Sequence, residues 1–173
     1  MRWCIPTDKY RDILNRLDAP DLSQQPTYRG QSLESHRLLI FQTNNLSGII
    51  PKTLAGCRNL FSLDLLGNKL SGSIPAEALV QMSMLTLTNL SRNDLNGQIL
   101  EKLAELKHLS TLDLSKNQLE GIIPCSFGNL LSLKHLKLSF NHLEGRVPES
   151  GLCKKTSAHL VWLEILLCVE PNL

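Results

Sequence analysis

The sequence of 173 residues predicts an α/β solenoid, a right-handed superhelix of about five coils with a parallel β-sheet on its concave side. The first observation is an octet of the form Asn-x-Leu-x-Gly-x-Ile-Pro, which recurs every 24 or 25 residues. This period is typical of a solenoid and not of a globule with one central core. The second observation is a pair of alternating apolar residues before each octet. The repeated asparagines are Asn44, Asn68, Asn93, Asn117 and Asn141.

The alternating residues stand five and three positions ahead of each asparagine. A period of two indicates a short strand with one buried face. No single repeat can bury these side chains alone, so we expect the coils to stack, with equivalent strands side by side and the leucines in one continuous core. The alternating residues are Leu39 and Phe41, Leu63 and Leu65, Thr88 and Leu90, Leu112 and Leu114, and Leu136 and Leu138.

The octet itself is predicted to form the turn that leaves the strand. Backbone groups in this turn lack a sheet partner, and a buried unpaired backbone group costs about 1–3 kcal/mol. An asparagine amide offers both a donor and an acceptor, so we expect the asparagines to bond the backbone of their own and neighbouring coils as a structural ladder. Glycine permits the tight bend, and proline fixes φ. Leu100 replaces the proline of the third octet, which predicts a looser third coil.

The repeats cover residues 33–148, and the flanking segments carry no repeat. In the N-terminal segment, residues 1–32, Thr7 precedes a short helical pattern with one apolar face, formed by Tyr10, Ile13, Leu14 and Leu17. The C-terminal segment, residues 149–173, departs from the repeat pattern. Three interpretations stay open: caps over the ends of the solenoid, sequence from a truncated or misassembled gene model, or a tail attached to a membrane.

Composition and charge exclude several functions. Hydrophobic residues make up 42% and charged residues 20% of the chain, an ordinary globular balance. A net charge of +2 with scattered basic residues predicts no nucleic-acid partner. The five cysteines lack the spacing of a zinc site, so we expect no metal and no other cofactor. We recognise no signal peptide at the start, and the longest apolar run, residues 160–169, is too short to span a membrane.

The five registered copies resemble the plant-specific class of leucine-rich repeats, written roughly LxxLxxLxLxxNxLxGxIPxxLxxL. The last copy and its continuation, LKLSFNHLEGRVPESGLCKKTSA, look like the end of the ectodomain of leucine-rich-repeat receptor Ser/Thr kinases of the flagellin-sensing type. This resemblance implies a parent protein at the plasma membrane with its repeats outside the cell. It also implies a peptide or protein ligand, a co-receptor ectodomain as a further partner, and a role in pattern recognition or defence signalling.

The expected function is therefore a non-catalytic recognition module from such an ectodomain. Two alternatives stay open: a secreted inhibitor resembling the plant polygalacturonase inhibitors, and a truncated product without independent function. Kinase chemistry is not expected, because the chain has no glycine-rich phosphate loop, HRD or DFG motif. Ser115 and His135 do not form a hydrolytic triad with Asp113, since four strand positions separate them by about 13 Å at roughly 3.3 Å per residue.

Binding residues are predicted at the outward-facing positions of the concave sheet, which the architecture leaves free. These positions carry both signs of charge, as suits a peptide or another protein. A cross-strand pair of roughly a few tenths of a kcal/mol also explains Asp113 beside Lys137. The candidate ligand-binding residues are Asp64, Asn89, Arg92, Asp113, Lys116, His135 and Lys137.

Two N-x-S/T sequons begin at Asn45 and Asn89. They predict glycosylation only where the chain enters the secretory route. Such acceptor sites fit the extracellular location that the resemblance implies.

Overall fold

The computed structural model describes residues 38–144. The predicted N-terminal helix, the end of the last octet and the C-terminal segment lie outside the described residues. Within the described range, ten short strands form two parallel sheets, and each coil contributes one strand to each sheet. The predicted α/β solenoid with its parallel sheet is confirmed.

The first sheet, called the concave sheet below, consists of the strands that precede the octets. Its strand order follows the chain, and neighbouring strands are parallel. The register places equivalent positions of the repeats in one row, from Ile40 through Asp64, Asn89 and Asp113 to Lys137. Numbered in chain order, the strands are β1 (Leu38–Ile40), β3 (Ser62–Asp64), β5 (Leu87–Asn89), β7 (Thr111–Asp113) and β9 (His135–Lys137).

The octets form a second parallel sheet, where the sequence predicts only turns. Its sequence signal is the leucine, glycine and isoleucine that stand two, four and six residues after each asparagine, with valine in place of isoleucine in the fifth repeat. The glycine conceals this signal, because it adopts the left-handed conformation inside a strand pattern, as at Gly72 with φ +74°. The strands of the second sheet are β2 (Ser47–Ile49), β4 (Lys69–Gly72), β6 (Asp94–Gln98), β8 (Gln118–Ile122) and β10 (His142–Glu144).

Gly72 also allows neighbouring coils to approach closely. A Cβ atom at this position would lie 2.9 Å from Cγ2 of Ile49 in the preceding coil, closer than two carbon atoms can pack. The glycine therefore meets two requirements of the second sheet: a left-handed turn and close contact between coils.

Each coil returns to the concave sheet through a short helix. Three of the returns in the described chain are 3₁₀ helices, Lys52–Gly56, Glu101–Glu105 and Cys125–Asn129, and one is the single-turn α-helix α1, Ala76–Leu79. Each helix buries one large apolar side chain against the strands, and these side chains are Leu54, Leu79, Leu103 and Phe127. They form the second wall of the core.

The core is one column of apolar side chains that runs through the described coils, as predicted. The leucines two residues after the first four asparagines, Leu46, Leu70, Leu95 and Leu119, are completely buried. The predicted inward positions of the concave strands are buried as well, including Leu63, Leu90 and Leu112. Because each side chain packs against its equivalents in adjacent coils, the stack and not the single repeat is the folding unit.

The asparagine ladder is present, and each of its inner members connects two coils. Oδ1 of Asn93 accepts the backbone N–H of Leu70, in the preceding coil, at 3.0 Å. Nδ2 of the same side chain donates to the carbonyl oxygens of Leu65 at 3.0 Å and Leu90 at 3.1 Å. The same pattern is found at Asn68, Asn117 and Asn141.

Thr88 is a polar residue at a position that leucine occupies in the other coils. Its side chain is completely buried, and its Oγ1 has no hydrogen-bond partner within the part of the chain that the structure describes. A buried hydroxyl without a partner costs about 1–3 kcal/mol. The third coil therefore contains a local source of instability in its core.

The backbone at Leu100 keeps the geometry that proline has in another octet. Its φ of −76° and ψ of 138° match the −74° and 137° of Pro51. The leucine therefore preserves the path of the coil, and the expected loss of rigidity stays a prediction. It can be tested directly, because proline fits these angles without strain.

We expect Asn93→Ala to lower the free energy of unfolding by about 1–3 kcal/mol, because it leaves the backbone N–H of Leu70 unpaired in the interior. It also removes one of the two amide donors to each of the carbonyl oxygens of Leu65 and Leu90, which keep their bonds from Asn68 and Asn117. Denaturant unfolding of the full chain measures this loss. Asn44→Ala is the matched control, since among residues 38–144 Nδ2 of Asn44 donates only to the carbonyl oxygen of Gln42, in its own coil. The control is expected to lose less than about 1 kcal/mol. Equal losses would contradict the role of the ladder in joining coils.

Thr88→Val is expected to raise the free energy of unfolding by about 1–2 kcal/mol, because it replaces the unpaired hydroxyl with a methyl group of similar size. Thr111→Val is the control, since Thr111 is half-buried on the sheet surface, and its effect should stay within about 0.5 kcal/mol. Thermal or denaturant unfolding of both variants measures the difference. A loss of stability in Thr88→Val would mean that the hydroxyl has a stabilising partner.

Leu100→Pro is expected to raise the free energy of unfolding by about 0.4–1 kcal/mol, because the ring restricts the unfolded chain without changing the folded backbone. Leu100→Ala removes the same side chain without adding the ring and serves as the control. If both variants change stability equally in denaturant unfolding, the missing proline has no effect on this coil.

Candidate functional site

A shallow groove of about 440 Å³ crosses the concave sheet from β3 to β9. Its lining contains five of the seven predicted ligand-binding residues, together with two half-buried residues that the sequence does not single out, Leu87 and Thr111. The other two predicted residues, Arg92 and Lys116, lie just beyond the strand ends and do not line the groove. The lining residues are Asp64, Leu87, Asn89, Thr111, Asp113, His135 and Lys137.

Asp113 and Asn89 are the last residues of β7 and β5, and hydrogen bonds hold their side chains to the turns that follow these strands. Oδ1 of Asp113 accepts the backbone N–H of Ser115 at 3.0 Å and its hydroxyl at 2.6 Å. Oδ1 of Asn89 makes the same two bonds to Ser91, at 3.2 and 2.7 Å. These side chains therefore shape the edge of the sheet, and both are half-buried.

Asp64 is bound in the same way and is more deeply buried. Its Oδ1 accepts the backbone N–H of Leu66 at 3.1 Å, and its Oδ2 accepts a hydrogen bond from Nε2 of Gln42 in the preceding coil. Its side chain is 9% exposed. Little of this carboxylate is left to contact a ligand.

Arg92 and Lys116 belong to a row of residues in the left-handed backbone conformation. The row consists of the residue before each asparagine, and its φ values are 55° at Thr43, 68° at Gly67, 56° at Arg92, 57° at Lys116 and 56° at Phe140. Backbone hydrogen bonds continue across it, for instance from N–H of Arg92 to the carbonyl of Ser115 at 3.0 Å. This conformation costs a residue other than glycine about 1–3 kcal/mol. In the sequence, Gly67 is the one member of this row whose residue type indicates a left-handed backbone.

Phe140 is a surface residue that the sequence reasoning did not select. Its side chain is 71% exposed, and Nζ of Lys116 lies 5.2 Å from the centre of its ring. A cation and an aromatic ring in this arrangement attract each other by about 0.5–1 kcal/mol at an exposed site. The two side chains form an ordered pair at the edge of the concave sheet.

The concave sheet carries both signs of charge, and its acidic and cationic side chains differ in how far they are bonded within the protein and exposed. Asp64 and Asp113 are bound to turn backbone, as described above. The cationic side chains of the C-terminal coils are exposed, and these are Arg92, Lys116, Lys134 and Lys137, with His135 beside them. The opposite end of the sheet is apolar, since Leu38 is 48% and Ile40 is 51% exposed.

The remaining candidates are placed as follows. Asn45 is exposed beyond β1, whereas Asn89 is half-buried in the groove with its Oδ1 bound to Ser91 of its own sequon. The register sets Thr111 beside His135, so Ser115 stands four positions away, as expected.

Between residues 38 and 144, no group of three or more His, Cys, Asp or Glu side chains could hold a metal ion. None of the described helices has the length and hydropathy to cross a membrane.

Coils of 24 or 25 residues, a parallel sheet and a ladder of asparagine amides define a leucine-rich-repeat solenoid. The profile of the family described as Leucine rich repeat matches residues 101–143. No curated protein matches the sequence. The chain is 34% identical to a chain of the BIR3–SERK2 complex from Arabidopsis thaliana, with 85% of each chain covered and a TM-score of 0.69. It therefore belongs to the leucine-rich-repeat family.

Several of the similar solved structures are ectodomains of plant receptors. The BIR2 ectodomain from Arabidopsis thaliana is 34% identical over 78% of this chain and 75% of its own, with a TM-score of 0.65. A chain from the complex of the Arabidopsis receptor kinase HAESA with the peptide hormone IDA and the co-receptor SERK1 is 42% identical over 64% of this chain, with a TM-score of 0.62. This chain spans 18% of that chain, and also 18% of a chain from the peptide hormone receptor RGFR1 with RGF2.

Proposed function

We propose that the protein is a non-catalytic recognition module whose concave sheet binds an extended peptide or a loop of another protein. The observation that carries this proposal is the open groove lined by Asp64, Leu87, Asn89, Thr111, Asp113, His135 and Lys137. Inward positions are apolar in the described coils except at Thr88, whereas the lining residues vary among aspartate, asparagine, lysine, leucine, threonine and histidine. Variation at outward positions of a rigid repeat scaffold is the usual basis of specificity in such proteins.

The dimensions of the sheet suit an extended chain. Neighbouring strands lie about 4.8 Å apart, so the four strands from β3 to β9 span about 14 Å. An extended segment of about four residues has this length, at roughly 3.3 Å per residue. The groove is shallow and open, which suits a peptide that runs across the strands better than a small molecule that needs an enclosed cavity.

The solved relatives support the same reading. RGFR1 and HAESA were each solved with a peptide hormone, and HAESA together with the co-receptor SERK1. We extend this to a co-receptor ectodomain as a second partner and to an extracellular position of the repeats. Membership in a receptor kinase of the flagellin-sensing type, and a role in defence signalling, belong to the same proposal and rest on the resemblance of the last repeat.

The absence of catalysis is also part of the proposal. The one constellation that resembles a catalytic group, formed by Ser115, His135 and Asp113, is separated by the strand register. Oδ1 of Asp113 accepts the Ser115 hydroxyl, while His135 lies at the other end of the strand row. The serine therefore has no imidazole beside it to act as a base.

Selection of random linear peptides on the full chain tests the proposal. We expect enriched peptides to lose at least about tenfold in affinity on Thr111→Trp, because the new ring fills the centre of the groove, and tenfold corresponds to about 1.4 kcal/mol. Fluorescence anisotropy of labelled peptides measures the change. Thermal unfolding confirms that the variant is folded.

Asn96→Trp is the matched control, since Asn96 is exposed on β6 of the second sheet. Its affinity for the selected peptides should equal that of the unchanged protein. If no peptide is enriched, or if both tryptophan variants bind equally well, the concave groove is not the recognition surface.

A further inference from the structure

We propose that the ligand of the concave groove is an acidic peptide whose carboxylates lie over β7 and β9 and whose apolar residues lie towards β1. This inference rests on the proposed function and specifies the chemistry of its ligand. It depends on three features of the concave sheet: which charges are bound internally, which charges project, and where the apolar side chains lie.

The acidic side chains of the groove are already used by the protein. Asp113 binds the backbone and hydroxyl of Ser115, and Asp64 binds Gln42 and the backbone of Leu66. A basic ligand would have to share both oxygens of Asp64 and Oδ1 of Asp113 with these internal donors. Asp64 is thus a poor attachment point for a cationic peptide, and Asp113 offers mainly its Oδ2.

The cationic side chains lie at the C-terminal half of the concave sheet. Lys137 is the last residue of β9 and lies beside Asp113 of β7. Lys134 and His135 stand where β9 begins, and Lys116 follows the end of β7; all four side chains are exposed. Adjacent strands are about 4.8 Å apart, so carboxylates on neighbouring residues of an extended peptide can reach cations on neighbouring coils.

The pair formed by Lys116 and Phe140 adds a positioned cation beside this end of the groove. The ring holds the ammonium group at 5.2 Å from its centre, so less conformational freedom is lost when an anion binds there. The exposed ring also offers an apolar surface to the methylene groups of an aspartate or glutamate. One edge of the concave sheet, next to the groove, therefore combines a positioned cation with an aromatic contact.

The N-terminal end of the concave sheet, beyond the groove, gives the ligand a direction. Leu38 and Ile40 on β1 expose about half of their surfaces, and Leu87 in the next coil but one is half-buried. These side chains have no charge to pair with a ligand and are best covered by apolar residues. A peptide with an apolar end and an acidic end matches this sheet in one orientation.

Three labelled synthetic peptides test the inference. They share one apolar segment and differ in the adjoining segment, which carries three aspartates, three asparagines or three lysines. We expect the aspartate peptide to bind the full chain at least about tenfold more tightly than the asparagine peptide at low salt, and to weaken as salt is added. The lysine peptide should bind most weakly.

Charge-neutralising variants locate the binding. Lys137→Gln and Lys116→Gln should each raise the Kd of the aspartate peptide about two- to fivefold, the range expected for an exposed ion pair. Phe140→Leu should raise it as well, because the ring that positions Lys116 is lost. The matched control is Lys69→Gln on the second sheet, where the lysine is exposed and Kd should not change.

The outcomes separate the inference from the proposed function. If the aspartate and asparagine peptides bind equally and both are lost in Thr111→Trp, the groove recognises peptides but not acidic ones, and the inference is wrong. If Lys69→Gln weakens binding as much as Lys137→Gln, the attraction is a diffuse charge effect, and the inference is equally wrong. If neither these nor any selected peptides bind, the proposed function fails together with it.

Discussion

The hydrogen bonds of the repeated asparagine are the interaction on which the rest of the structure depends. The chain turns between two sheets once in every coil, and at this corner the backbone groups have no strand partner. The amide of Asn93 supplies one acceptor and a donor group, and it bonds to the backbone of two coils at once. The corner can therefore be buried beside the leucine column, and the two sheets can run side by side.

This use of a side chain leaves the outer surface free to vary. The core needs leucine, the corner needs asparagine and the second sheet needs glycine, whereas the outward positions of the concave strands have no such requirement. The exception is the residue before each asparagine, whose left-handed backbone favours glycine. Arg92, Lys116 and Phe140 hold this conformation at a cost in stability.

The charged and polar side chains of the concave sheet have different roles in the structure. Asp64 and Asp113 bind turn backbone, and Asn89 makes the same bonds with its amide oxygen. Lys116 and Lys137 make the exposed charge of the sheet positive. The exposed cations are therefore more accessible than Asp64, whose two oxygens are already bonded. The charge that the sheet presents depends on hydrogen bonding inside the protein as well as on net charge.

The sequence by itself determined the coil, because a period of 24 or 25 residues and leucines in alternation have one common physical solution, a stack with a continuous core. It also identified the ladder and most of the groove, since equivalent positions of a repeat must share a row. The second sheet, the left-handed row and the pairing of Lys116 with Phe140 were decided by tertiary structure. These features arise from contacts between neighbouring coils, and a pattern within one repeat does not contain the distance from Gly72 to Ile49 or from Lys116 to the next coil.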